Sequence, residues 1–250
     1  MSKSFKYVSP MIILSLLCFP LRSVAADVDE LTDTVGKLVG TTGSTEPVKL
    51  FVLMTVLTLI PTILILTTSF TRIIMVLSFV RNALGTQQTP PNQVLLGIAL
   101  FLSFFIMQPT YSEVNKTAIQ PLMKDEITQS EAITLAEKPI KDFMLKQTRE
   151  KDLELFIKNS NQKKVDKPED LGMHIVTPAF LISELRTAFS IGFLIFIPFL
   201  IIDMAVSSIL MSMGMFMLSP VMISLPFKLL LFVLVDGWYL VVETLVRGFL

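Results

Sequence analysis

The residues with any capacity for chemistry are few, and most lie where ionised groups are expensive. Asp203, Lys228 and Asp236 sit inside long apolar stretches, and Glu184 and Arg186 stand among apolar neighbours near the start of the stretch that holds Asp203. Charges in such surroundings pair with one another or line a path. Lys228 and Asp236 are about two helical turns apart, too far to meet along one helix, so partners on other helices or other subunits are expected. These residues can serve a proton or ion path, or form buried pairs that fix register and assembly; the second use is the commoner. Asp203 and Asp236 could in principle share a proton and activate water, as paired carboxylates do. Beyond Val235-Asp236-Gly237, however, the surrounding residues do not support an intramembrane protease. There is no phosphate-binding GxxxxGK[ST] loop. His174 and Cys18 are single copies, so neither a zinc site nor a disulfide framework can be assembled from them. No catalytic, cofactor-binding or metal-binding residue is assigned, and the chain reads as a non-enzyme.

A second constellation is apolar. Met211, Met213, Met215 and Met217 alternate with other residues around Gly214. In a helix, positions two apart diverge by about 200°; in a turning segment they can share a side. Glycine permits such a turn, and flexible, polarizable methionine suits a deformable surface. Core filling is the plainer use of the same residues.

The elements that carry these groups follow from composition. The chain has 250 residues, is 52% hydrophobic and has zero formal net charge. Its mean hydropathy of +0.67 exceeds that of ordinary soluble domains. Neutrality gives nucleic acid no electrostatic handle. Charges of both signs concentrate between Glu113 and Asp170, so one soluble segment is inserted among apolar ones.

Residues 1–26 have a signal-peptide layout: Lys3 and Lys6, an apolar run from Val8 to Leu21, and small residues Val24 and Ala26. Cleavage after Ala26 would start the mature chain at Asp27. Leu17 before Cys18 argues against a lipoprotein. A polar leader follows over 27–48, with a short helix expected near Asp29–Leu38. Residues 49–112 read as a first apolar helical hairpin. Its run from Leu50 to Thr71 is long enough to span a bilayer, with a kink at Pro61. Arg72 and Arg81 then mark a cytoplasmic loop over 72–93. Val94–Met107, about 14 residues, is short for a crossing, and Pro109 should end it. Residues 113–177 read as a soluble, helical, extracytoplasmic segment, with Pro139 at a helix start. Ile140, Phe143 and Met144 share one face there, as do Leu153, Phe156 and Ile157. Residues 178–250 form a second apolar hairpin around a Met-rich turn at 211–220. The expected fold is all-α: membrane-associated helical hairpins with Pro-kinked apolar helices and an inserted helical segment.

Three stretches carry a resemblance: FTRIIMVLSFVRNALGTQQTPPNQVLLGIALFLSFFIM at Phe70–Met107, PAFLISELRTAFSIGF with PFLIIDMAVSSILMSMG over Pro178–Gly214, and SLPFKLLLFVLVDGW at Ser224–Trp238. They resemble the FliP family of type III export-gate proteins. The resemblance implies a ring, pentameric in the family, assembled with FliQ and FliR and joined by FlhB at the flagellar basal body in the bacterial inner membrane. It implies passage of unfolded flagellar proteins through the centre, and no cofactor. It places a pore gasket at Met213, Met215, Phe216 and Met217, with Phe216 where the family usually has methionine. Ser219-Pro220 likewise departs from the more familiar Pro-Pro, and Ser190 from a longer polar residue. The ALGTQQTPPNQ wording favours the flagellar branch; a virulence-type gate subunit is the alternative, and a secondary transporter subunit a more distant one.

Overall fold

A computed structural model describes residues 46–86, 88–160 and 168–249. The signal-peptide and leader expectations, Ala26 and Asp27 included, lie outside these residues. The described residues are helical, with no strand among them. They belong to two compact units, residues 1–61 and 62–250. Helix α1, Glu46–Thr67, contains that division at Pro61 and remains helical through it.

The larger unit begins with α2, Phe70–Leu84. Ile73, Val76, Leu77, Val80 and Leu84 recur at three- and four-residue spacing and are all buried, giving α2 an apolar stripe. Stretch 72–93, expected as a cytoplasmic loop, is therefore helical as far as Leu84. Burial of this stripe is what holds the helix within that stretch. Only Gly85–Pro91 connects α2 to α3, Asn92–Val114. Arg81 clips that connection by donating to the Pro90 carbonyl and Asn92 Oδ1.

Pro109 does not end α3. Ile106 and Met107 are buried just before it and Ala118 after it, so packing holds the helix across the missing amide. A π turn follows at Asn115–Ile119, where the Gln120 amide bonds to the Asn115 carbonyl five residues back. The path ends in α4, Gln120–Met123.

Helix α5, Gln129–Gln147, starts at a capping box: Thr128 and Glu131 exchange side chain-to-backbone hydrogen bonds. Pro139 is thus interior rather than initial, because the Thr-x-x-Glu signal fixes the true start ten residues earlier. Helix α6, Glu150–Asn159, follows. The two expected faces meet as one cluster: Met144 with Ile140 and Phe143, against Leu153, Phe156 and Ile157. Leu171, Ile175, Val176 and Phe180 complete it.

Those last residues lead into α7, Met173–Ser212, a 40-residue helix running through Pro178 and Pro198. At 1.5 Å per residue it is about 60 Å long, twice a bilayer's hydrocarbon core. Its first part belongs to the α5–α6 cluster, and its later part packs on α2. At Gly192 of α7 an added Cβ would lie 2.4 Å from the Phe79 ring of α2. After a turn, α8, Pro220–Leu234, and α9, Gly237–Arg247, form a pair bent by 61°. Asp236 occupies the bend with φ 50°. Asn92–Met123 and Met173–Ser212 are each long and apolar enough to cross a membrane.

Candidate functional site

The expected charges resolve into two buried ionic sites at opposite ends of α2. At its C-terminal end, Lys228 of α8 reaches Asp203 of α7, Nζ to Oδ2 2.6 Å. Its ammonium also donates to the Ala83 carbonyl at 3.3 Å, and the Ser224 hydroxyl donates to Asp203 Oδ1 at 2.5 Å. Three helices are joined there. Lys228 is nearly sealed, at 5% side-chain exposure, whereas Asp203 keeps 26%. Lys228 therefore finds its partner on another helix, as its position in an apolar run required.

At the N-terminal end of α2, Arg72 is buried on Glu184, which is fully enclosed. The fork is bidentate: Nε donates to Oε2 at 2.9 Å and Nη2 to Oε1. Nη1 donates to the Gly248 carbonyl at 3.1 Å, and Nη2 also reaches Gln147 Oε1 at 3.1 Å. The next residue along α7 from Glu184 toward its start, Ser183, holds α6: its hydroxyl donates to Asp152 at 2.6 Å and accepts from the Arg149 amide at 3.1 Å. Burial raises the Asp152 carboxyl's pKa, but the Ser183 hydroxyl and the Arg149 guanidinium lower it more, leaving it below the usual aspartate range.

Arg72 and Gln147 touch, so the sides expected of them, cytoplasmic for residues 72–93 and extracytoplasmic for 113–177, do not both hold. A positive residue flanking an apolar run was expected to mark the cytoplasm. Instead Arg72 is buried against Gln147, in the segment expected on the other side. Its charge is neutralised by Glu184, so the positive-inside rule has nothing to act on at this residue.

The remaining charges stay apart. Asp236 is exposed at the α8–α9 bend, away from Asp203's partners. Arg186 is exposed on α7 and contributes to the positive surroundings of Asp152. His174 is exposed, in the first turn of α7 rather than in a loop. No group of His, Cys, Asp and Glu suited to a metal occurs among the described residues.

The methionine turn stands at the far end from Arg72. Met211 lies in the last turn of α7, which ends at Ser212, and Met213–Ser219 is the turn. The Met215 amide bonds back to the Leu210 carbonyl and Gly214 to Met211, a Schellman closure with Gly214 at φ 75°. This left-handed position sends the chain outward. Met213, Phe216 and Met217 are exposed, with Met217 fully so, while Met215 is half-buried. Gly85, at the other exposed connection, lies near Val221 and Leu225 at the start of α8. The turn and the Gly85–Pro91 connection thus share one end of the unit.

Sequence reasoning missed Arg72, Ser224 and Gln147 as partners. The signal for Arg72 was its place in an apolar heptad-like stripe, which the positive-inside rule masked. Ser224 stands one helical turn before Lys228, a spacing that places both on one face. Gln147 had no comparable signal.

Comparison with known proteins agrees with the resemblance. The model of the FliP family matches residues 53–245. The flagellar biosynthetic protein FliP of Bacillus subtilis is 64% identical over 205 residues, covering 81% of this chain and 91% of the relative. That of Pectobacterium carotovorum is 53% identical, covering 82% and 80%. That of Aquifex aeolicus is 49% identical over 213 residues, covering 84% and 89%. An all-helical chain with apolar helices of spanning length, matched over most of its length by these relatives, belongs to the FliP family.

Proposed function

We propose that this protein is a core subunit of the flagellar type III protein export gate. It assembles as a ring, pentameric by the family resemblance, with FliQ and FliR, and FlhB joins the assembly. The ring passes unfolded flagellar proteins across the bacterial inner membrane. The segment 113–177 lies on the periplasmic side, following removal of residues 1–26.

The supporting observation is the Met213–Ser219 turn. It projects methionines and Phe216 from the end of a long helix with little cover from its own chain. One such turn is a sticky loop. Several around an axis make an apolar collar, which blocks ions by dewetting without a charged barrier. Methionine side chains part for an unfolded polypeptide and close behind it, and stiffer Phe216 fills the centre. The two ionic sites hold the frame: Asp203–Lys228 lies near the turn and Arg72–Glu184 near the α5–α6 segment.

The test replaces Met215, Phe216 and Met217 with Ala. The variant should still co-purify with FliQ and FliR, while cells carrying it leak small ions when export is idle. Normal assembly with a tight membrane would remove the gate's seal from this turn.

A further inference from the structure

The two ionic sites differ in what they connect. Asp203–Lys228 joins helices of the apolar body only. Arg72 gathers α2, α7, the extramembrane helix α5 and the residues that leave α9. Glu184 takes two of its donors, Gln147 a third contact and the Gly248 carbonyl a fourth. The Phe249 ring closes over the guanidinium, with Cζ 3.9 Å from the ring centroid. Phe249 also stacks on Phe143 of α5, centroids 6.2 Å apart and planes 19° from parallel. Gln147 Nε2 donates to the Phe249 carbonyl at 3.5 Å. The end of α9 is therefore tied to α5 directly and again through Arg72.

We propose that Gly248–Phe249 is a latch and Arg72 the post on which it closes, coupling the position of α9 to that of α5. Only a planar guanidinium can hold a carboxylate, an amide oxygen and a backbone carbonyl at once while presenting a face to a ring. The Phe249 ring keeps water from the ion pair, and exclusion of water strengthens each contact inside. A partner or substrate that shifts α5 outside the apolar helices would then pull on α9. Through the bend at Asp236, that pull reaches α8, which carries Lys228 and begins at the methionine turn. The latch stands on these contacts alone, whether or not the turn seals a pore.

The test is hydrogen exchange on the full-length protein in detergent, followed at the α9 amides and at Val76–Val80 of α2. Phe249→Ala and Gln147→Ala should each lower α9 protection about tenfold, the worth of a contact to a charged group, and leave Val76–Val80 unchanged. Arg72→Lys should loosen α9 at least as much, although it keeps the charge. Combining Phe249→Ala with Gln147→Ala should add little to either alone, because both open one latch. Unchanged α9 protection in Phe249→Ala would overturn the proposal. So would an equal fall at Val76–Val80, which means general loosening, or fully additive effects, which mean two unrelated contacts.

Discussion

Unequal burial of Lys228 and Asp203 predicts unequal costs for removing either partner. Asp203→Leu leaves an ammonium at 5% exposure with the Ala83 carbonyl at 3.3 Å as its remaining partner. Stranding a charge that deeply costs about 3–5 kcal/mol, a large part of the roughly 5–15 kcal/mol that holds a domain folded. Lys228→Met leaves a carboxylate that is 26% exposed and still accepts from Ser224. Water and that hydroxyl compensate it, so the loss should be nearer 1–3 kcal/mol. Asp203→Leu with Lys228→Met removes both charges and should recover most of the stability, because a desolvated pair gains little over apolar packing. Thermal unfolding of detergent-purified protein, with the yield of complex as a second readout, measures all three. Equal losses in the two single variants, or a double variant as unstable as their sum, would refute the argument from burial.

Further expectations concern the helix crossing and the α6 contact. Gly192→Ala should lower stability by about 1–3 kcal/mol through overpacking, since its Cβ would enter the Phe79 ring; Phe79→Leu in the same chain should restore part of the loss in melting temperature. Asp152 has a lower pKa folded than unfolded. Its contribution is therefore complete above the usual aspartate range and is lost as pH falls through the lower folded value. Ser183→Ala removes one of the groups holding that value down, so an acid-unfolding titration should show a smaller loss that is complete at a higher pH.

The helical class was legible because long apolar runs and three- and four-residue spacings leave little else to form. The α5–α6 faces were legible for the same reason: Met144 and Phe156 sit at regular intervals in a polar background. Proline and charge were less reliable. Pro109 and Pro139 read as boundaries, yet each lies inside a helix that buried neighbours or a distant capping box stabilise. Arg72 read as a marker of the cytoplasm because a local rule cannot see Glu184, 112 positions away. For Lys228 the expense of an apolar neighbourhood demanded a partner, but its identity required the fold. The methionine turn was legible through Gly214, whose left-handed backbone closes α7, but the alternation was not a guide to exposure, since Met215 is half-buried while Met213 and Met217 are exposed.

The π turn at Asn115–Ile119 has a consequence for chain length. A π turn is an α-helix that has accepted one extra residue, and each residue turns the helix by about 100°. Everything after it is rotated by that amount relative to α3. Removing any one residue between 115 and 119 would leave a chain able to continue in α register, but α4 would present a different side to α5. Lengthening or shortening this stretch therefore acts as a rotation, and a relative differing here by a single position would carry the helices that follow it turned relative to α3.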